Sequence, residues 1–375
     1  MITEIPKSEF QERARRVQAE LAKRGLDALL TFGNEAEPAF VRYLCDYWPA
    51  FETAGVLVPV EGDPLLLIGP ESLAYAESRS KIDNIRQILE YRESAEPEYP
   101  GKALDTFASV FDEVSGGKGV KRLGIVGYPV TTVPVYEGVR QAMAGGEIVR
   151  ADDILVELRK VKSENELALL RQAFRISEQA MEAVLNNIKP GMAEVQVVGI
   201  AQEAIYRLGA EYEGHPLYVL SGRNSANAIG RPTHKKLEKG EIIQLNIGAR
   251  VGGYSSSVGR PIVLGHISDE LRGFLQVGLT PCDDGLQGMF ALFSRDGPAI
   301  RPLAELHRPL QALVDLRRHG LDHLLVIHDV FQGEMRNYTR FPAGFHAGRP
   351  RAGGLQQRLG TPIIRVSGTF TGAAG

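Results

Sequence analysis

The feature that most constrains the fold of this chain is a pair of consecutive helices with a clearly marked start. Ser163-Glu-Asn-Glu166 has the form of a capping box. In that motif the serine accepts a hydrogen bond from the N–H three residues on, and the glutamate returns one to the serine N–H. Apolar residues at helical spacing follow, and Pro190-Gly191 ends the helix. The spacing predicts a second helix over residues 193–208, which Gly209 terminates.

The chain before this helix pair alternates between helical and strand patterns, which is typical of an α/β domain. Residues 10–24 are predicted to be helical, with Gly25 as the stop, and residues 135–144 form a second helical pattern. Short apolar runs predict strands at 26–32 and 122–127 and a hairpin over 55–68, in which Pro59 favours an edge strand. We therefore predict two domains, 1–152 and 153–375.

Strand patterns follow the helix pair. Residues 217–220 and 242–247 are predicted strands, and a glycine-rich turn at 248–253 leads into a return strand over 254–264. A polar loop beginning at Ser221-Gly-Arg-Asn-Ser separates the first strand from the second. Helices followed by antiparallel strands make the fold class α+β.

Composition excludes several classes of protein. The 375 residues carry a formal net charge of −3, so the chain lacks the basic footprint of a nucleic-acid binder. No apolar run is long enough to span a membrane, and the N-terminus is polar. Two cysteines, Cys45 and Cys282, cannot form a disulfide framework, and Cys45 is predicted to be a packed core residue. We expect a cytoplasmic protein.

The C-terminal part differs from the rest. No lysine follows Lys239, and residues 280–375 contain eleven arginines against eight acidic residues. Glycine and proline are dense there, which is poor material for a packed core. Two interpretations stay open: a diverged, arginine-rich C-terminus, or a frameshift near residue 280 in a GC-rich gene.

Residues 157–265 resemble the creatinase, prolidase and aminopeptidase P superfamily (peptidase family M24). The resemblance is carried by the strings at 158–167, 188–192, 231–241, 245–250 and 253–260. Residues 1–150 resemble its creatinase-type N-terminal α/β domain, and no family string is found after about 280. The resemblance implies that a pita-bread domain follows this α/β domain. It also implies hydrolysis of the bond before proline with two metal ions, which is the activity of most members. Members of the superfamily commonly form homodimers, so the resemblance implies a homodimer as well.

The resemblance also implies two metal-binding aspartates, at positions that here hold Asn246 and Ser257. A neutral amide and a hydroxyl are poor ligands for hard divalent ions. These are therefore vestigial metal positions, and we expect no metal cofactor. The family's other ligands belong after residue 280, where His328 and Glu334 do not fit its pattern. The metal-free creatinase branch also carries asparagine here, but its catalytic histidine position corresponds to Ile229.

Two histidines are the candidates for acid–base chemistry. His215 precedes a predicted strand, and Glu213 could orient it, although a structural turn residue is the plainer alternative. His234 lies among lysines and equally fits a solvated turn. Arg223 and Asn224, on the polar loop, are candidates for binding a substrate carboxylate. Tyr254 is a further substrate-binding candidate, with packing on the hairpin as the alternative.

Three functions are compatible with these residues. The first is a metal-independent hydrolase of a small C–N substrate, such as an amidino or cyclic-amidine compound, or of an Xaa-Pro-type dipeptide. The second is a non-catalytic pita-bread module that binds peptides or proteins. The third is a conventional metal-dependent Xaa-Pro dipeptidase or aminopeptidase. The expected partner is a small molecule or short peptide, with neither nucleic acid nor membrane involved.

Overall fold

The computed structural model describes residues 4–273 and one further strand at 324–326, which all fall within one compact unit. The helices are α1 Lys7–Arg24, α2 Ala39–Cys45, α3 Leu73–Arg79, α4 Phe107–Ser115, α5 Val133–Ala142, α6 Asp152–Lys160, α7 Glu164–Asn187 and α8 Glu194–Arg207. The strands are β1 Ala28–Thr31, β2 Ala54–Pro59, β3 Leu65–Ile68, β4 Ile85–Gln87, β5 Arg122–Val126, β6 Glu147–Arg150, β7 Tyr212–Glu213, β8 Tyr218–Ser221, β9 Ile242–Ile247, β10 Ala249–Val251, β11 Tyr254–Ser255, β12 Val258–Leu264 and β13 Leu324–Val326.

The N-terminal half is a six-stranded sheet in the order β4-β3-β2-β1-β5-β6. Its strands are β-branched or leucine-rich, and alternate residues of β1 enter different hydrophobic clusters, with Leu29 in one and Leu30 in the other. Both faces of the sheet are therefore covered, as expected for an α/β layer arrangement. The predicted helix at 10–24, its Gly25 stop and the hairpin over 55–68 are confirmed.

The prediction that Pro59 marks an edge strand is wrong. β2 lies inside the sheet, between β1 and β3. Pro59 is its last residue and pairs with Ala28. A proline at the end of an interior strand removes no ladder hydrogen bond that the sheet needs.

The C-terminal half packs α7 and α8 on a four-stranded antiparallel sheet in the order β13-β12-β9-β8. The register places Asn246 on β9 opposite Tyr218 on β8 and Gly259 on β12. Residues of β9 alternate between buried and half-buried, and the buried set of Ile243, Leu245 and Ile247 joins the helices in one core. The other face carries the half-buried Ile242, Gln244 and Asn246.

The predicted return strand over 254–264 is interrupted at Ser256. β11 turns away to pair with β10 in a small three-stranded sheet, and β12 begins at Val258. The buried Ser256 hydroxyl donates to the Ala249 carbonyl at 3.1 Å and lies 2.6 Å from the Ser177 hydroxyl on α7. Ser256 N–H keeps its backbone bond to the Ala249 carbonyl at 2.9 Å, whereas Ala249 N–H donates to the Ser177 and Ser256 hydroxyls at 2.9 and 3.1 Å. Side-chain oxygens thus take over part of the pairing where the strand is interrupted.

The capping box at the start of α7 is confirmed. Glu166 N–H donates to Ser163 Oγ at 3.1 Å, and Ser163 N–H donates to Glu166 Oε2 at 2.7 Å. The other Glu166 oxygen accepts from the Tyr254 hydroxyl at 2.8 Å and lies 3.7 Å from the buried Arg13 guanidinium on α1. One carboxylate thus caps a helix and joins the two halves of the described chain.

Several predictions lie outside the described residues. These concern Cys282, His328, Glu334 and the two interpretations of the chain after 280. The boundary between the domains, at 152, also stays a prediction. Among the described helices, none is both long and apolar enough to cross a membrane.

Candidate active site

The face of the four-stranded sheet that bears Asn246 carries the candidate site. Side chains directly opposite each other on paired antiparallel strands share a face, so Tyr218, Asn246 and the bare backbone of Gly259 form one row across β8, β9 and β12. Ser257 comes two residues before Gly259 and therefore falls on the same face. We call Tyr218, Asn246, Ser257, Gly259 and the nearby His215 the polar row.

Asn246 and Ser257, the predicted vestigial metal positions, meet directly. Ser257 Oγ donates to Asn246 Oδ1 at 2.9 Å, across eleven residues of chain. Asn246 is half-buried and Ser257 is exposed. The geometry brings these two positions into a diagonal cross-strand pair. That they are vestigial metal positions stays a prediction.

This pair does not fit the metal ions that the superfamily uses. Its oxygens belong to an amide and a hydroxyl, and the amide oxygen already accepts the hydroxyl proton. Hard divalent cations prefer charged oxygen ligands. Within residues 4–273, no group of three or more histidine, cysteine, aspartate or glutamate side chains is arranged to hold a metal ion.

His215 lies at the end of the polar row, with its ring edge-on to Tyr218 at 6.0 Å between centroids. Its Nδ1 is 2.8 Å from the Pro216 carbonyl oxygen. Because a carbonyl oxygen can only accept, Nδ1 is the donor in this contact. That Nε2 is buried without a hydrogen-bond partner, and a Cβ on Gly248 would lie 2.9 Å from it. The imidazole thus lies with its Nε2 edge against the backbone of Gly248.

Glu213, expected to orient His215, does not contact it in this geometry. Its Oε1 instead accepts a hydrogen bond from the Gln202 side-chain amide on α8. The Pro216 carbonyl performs the orienting role. A main-chain carbonyl one residue along the chain is a common partner for histidine Nδ1, and no sequence pattern singles it out.

A loop over residues 222–233 crosses the sheet beside the polar row, and both its ends are fixed by Glu194. The carboxylate is fully buried at the start of α8. One oxygen accepts from Ser221 N at 2.7 Å and Ser221 Oγ at 2.8 Å, and the other accepts from Thr233 N and Thr233 Oγ1, both at 2.8 Å. Burial by itself raises the pKa of Glu194, but the hydrogen bonds from Thr233 and Ser221 outweigh it and hold the pKa below the ordinary glutamate value. We call this arrangement the Glu194 clamp.

The structure divides the loop's candidate residues. Asn224 belongs to the Glu194 clamp, since its Nδ2 lies 3.2 Å from each Glu194 oxygen. Arg223 and His234 are exposed, as is Ile229, whose side chain is 86% accessible. Arg223 and His234 are therefore accessible to a ligand. Among the described residues, neither forms a hydrogen bond with His215.

Tyr254 lies elsewhere. Its hydroxyl donates to Glu166 and accepts from Arg13 at 3.3 Å. Burial, opposed by Arg13 and reinforced by Glu166, raises the pKa of this hydroxyl well above the ordinary tyrosine value. The side chain joins the β10–β11 hairpin to α1 and is not brought to the polar row.

Sequence reasoning missed Tyr218, Gly259 and Glu194. The register of three strands identifies Tyr218 and Gly259, and their relation appears only once β8, β9 and β12 are paired. Glu194 has the ordinary appearance of an acidic residue in the first turn of a helix. Its partners are 27 and 39 residues away in the chain.

The fold is that of a known class. The profile of metallopeptidase family M24 matches residues 168–330, and that of the creatinase/prolidase N-terminal domain matches residues 13–161. The first half is therefore a creatinase-type α/β domain and the second a pita-bread domain. The chain belongs to the creatinase, prolidase and aminopeptidase P superfamily.

Individual relatives are distant. An uncharacterized peptidase of Bacillus subtilis, YqhT, is 28% identical over 253 residues, which cover 68% of this chain and 65% of the relative. An Xaa-Pro dipeptidase of Pyrococcus furiosus is 24% identical over 59% of this chain and 60% of its own length. The chain thus spans less than two thirds of these relatives. The solved X-Pro aminopeptidase of Thermotoga maritima shares the fold, with a TM-score of 0.61, 21% identity and coverage of 72% of this chain and 70% of its own.

Proposed function

We propose that this chain is a hydrolase of the M24 type that cleaves a C–N bond in a small substrate without a metal ion. The candidate substrates are amidino or cyclic-amidine compounds and Xaa-Pro-type dipeptides. The observation that carries the proposal is the Asn246–Ser257 pair, which is closed on itself by a 2.9 Å hydrogen bond at the positions where the superfamily holds aspartates.

Without a metal ion, the attacking water needs a base, and His215 is the best placed group. The Pro216 carbonyl holds the proton on Nδ1, which leaves the Nε2 lone pair to accept a proton from water. The same nitrogen then returns that proton to the leaving nitrogen as the C–N bond breaks. General acid–base transfer of this kind contributes about a hundredfold or more to the rate.

The position of Nε2 sets a condition on this mechanism. The atom is buried against the backbone of Gly248, so the imidazole has to turn about its side-chain torsions to reach a water on the polar row. The proposal therefore includes a side-chain movement when substrate enters.

The buried Nε2 also favours a second candidate function. A histidine that stays against Gly248 has no access to water, and the chain would then be a non-catalytic pita-bread module that binds a peptide or protein. The two functions differ in one measurable respect, since only the hydrolase turns over a small substrate.

The test is an assay of purified protein against Xaa-Pro dipeptides, amidino compounds and cyclic amidines. Each substrate is measured with a chelator, and separately with Mn²⁺, Co²⁺ or Zn²⁺ added. We expect turnover that the chelator leaves unchanged. Turnover that disappears on chelation and returns with metal would instead establish the conventional metallopeptidase, and no turnover of any substrate would favour the binding module.

A further inference from the structure

The side-chain amide of Asn246 uses its oxygen in a hydrogen bond, whereas its nitrogen makes none with the described residues. Its Oδ1 accepts from Ser257. Among the described residues no hydrogen bond uses its Nδ2, and Nδ2 is not one of the enclosed polar atoms that lack a partner. Ser257 therefore fixes the amide with its N–H₂ group directed to accessible space.

The space beside this amide is kept open by a glycine. Gly259 lies directly opposite Asn246, and among the described residues a Cβ placed on it would meet only the Leu245 carbonyl oxygen, at 3.9 Å. Tyr218, opposite Asn246 on the other strand, bounds the space on its far side. Gly259 has no side chain at the place where a ligand atom could approach Asn246 Nδ2.

We infer that Asn246 Nδ2 donates a hydrogen bond to a carbonyl or carboxylate oxygen of the ligand, in the space above Gly259. An amide N–H₂ group offers two donors and no acceptor, so this point of the polar row attracts oxygen acceptors and has no attraction for cations. A carboxylate is favoured most, because a hydrogen bond to a charged oxygen is about twice as strong as one to a neutral oxygen. The inference deepens the proposed function, because it names the substrate group that the polar row recognises.

Asn246→Asp tests the donor, because it keeps the shape of the side chain and replaces the N–H₂ group with a charged oxygen. The matched control is Gln244→Glu, the same chemical change two residues along β9, where Gln244 lies on the same face in the next row, opposite Leu220 and Pro261. Two probes are titrated into the full chain by calorimetry: N-acetyl-L-proline, which carries a carbonyl and a carboxylate, and Mn²⁺ alone.

We expect the wild type to bind N-acetyl-L-proline and not Mn²⁺. Asn246→Asp should weaken N-acetyl-L-proline binding by about tenfold or more, because the donor is replaced by a repelling charge. Gln244→Glu should change the affinity by less than about threefold. Equal weakening in both variants, or no binding of N-acetyl-L-proline by the wild type, would overturn the inference. Binding of Mn²⁺ by the wild type that Asn246→Leu abolishes would also overturn it.

Gly259→Val tests the open space independently. The substituted side chain fits a strand, and among the described residues its Cβ meets only the Leu245 carbonyl oxygen, at an ordinary van der Waals distance of 3.9 Å. The thermal midpoint should therefore be retained while N-acetyl-L-proline binding is lost. Retained binding in a folded Gly259→Val protein would contradict the placement of the ligand oxygen.

This experiment separates the inference from the proposed function. If Asn246-dependent binding is found but no substrate is turned over, the recognition site stands and the hydrolase proposal fails. If turnover is found and Asn246→Asp leaves both KM and the affinity for N-acetyl-L-proline unchanged, the hydrolase stands and the inference fails.

Discussion

Glu194 and Thr233 are 39 residues apart in the chain, yet one carboxylate oxygen of Glu194 accepts both the backbone N–H and the hydroxyl of Thr233 at 2.8 Å. The other oxygen binds Ser221 in the same two ways. Ser221 and Thr233 are the two ends of the loop beside the polar row. A single buried charge therefore determines how this loop leaves the sheet and how it returns.

Glu194→Gln should destabilise the protein and release the loop. A glutamine offers one acceptor oxygen, and its N–H₂ group would face backbone N–H donors that the carboxylate now satisfies. We expect the free energy of unfolding to fall by about 2 kcal/mol or more, with faster tryptic cleavage after Arg223. The control is Glu203→Gln, an exposed residue on the same helix that pairs with Arg207, where a loss of under about 1 kcal/mol is expected.

The Glu194 clamp should also make stability depend on acid. Because the pKa of Glu194 is lowered in the folded protein, its contribution is complete above the pKa of glutamate in the unfolded chain. It is lost as the pH falls through the lowered folded value. Urea denaturation across this range should show the difference between wild type and Glu194→Gln shrinking as the pH falls. If the difference in unfolding free energy between wild type and Glu194→Gln stayed constant with pH, the charge of Glu194 would not be the cause of the stabilisation.

Glu211→Gln should weaken the contact between the two halves of the described chain. Glu211 binds the Arg42 guanidinium through both oxygens, at 2.7 and 3.2 Å, and accepts from Gly253 N at 2.7 Å. The Arg42 side chain is only 9% exposed and would keep only Asp46 as a carboxylate partner among the described residues, so we expect a loss of about 1–3 kcal/mol in chemical denaturation. Glu157→Gln removes an exposed pair with Lys160 and should cost less than about 1 kcal/mol; equal losses would contradict this assignment.

His215→Ala should separate the two candidate bases. If His215 is the base, turnover falls by about a hundredfold or more, whereas His234→Ala, at an exposed position, should change turnover by less than about threefold. The measurement is kcat on whichever substrate of the panel is cleaved, with circular dichroism to verify folding. A large loss in His234→Ala alone would transfer the role to His234.

Cys45 should be chemically inert in the folded protein. Its thiol is buried, and burial raises its pKa to about 12, so almost no thiolate forms near neutral pH. In a Cys282→Ser background, an aromatic disulfide reagent should label Cys45 only when denaturant is added. Rapid labelling without denaturant would contradict the packed position that the sequence and the structure both assign.

Local patterns predicted the elements whose cause is local. The capping box of α7 needs two polar residues three positions apart, and β9 needs an apolar run with a matching turn, so both appear in the sequence. The break at Ser256 depends on Ser177, 79 residues away, and the interior position of Pro59 depends on which strands flank β2. Neither partner can be identified from spacing alone.

The same distinction applies to the candidate site. Asn246 and Ser257 could be predicted as a pair because their turn is short and the family resemblance aligns both positions. His215 could be proposed from its chemistry, but its partner Pro216 and its contact with Gly248 depend on the path of the backbone. Glu194 could not be proposed, because both ends of the loop have to fold back before its oxygens have partners.

The order of strands in the second sheet has a consequence for synthesis on the ribosome. The outer edge of β12 is paired by β13, which begins only at Leu324. While the intervening chain is being made, the apolar residues Ile262, Val263 and Leu264 present unpaired backbone groups, and such an edge is a template for association with another nascent chain. A message that ended before codon 324 would therefore be expected to yield aggregates, and chaperone demand should peak during this interval of translation.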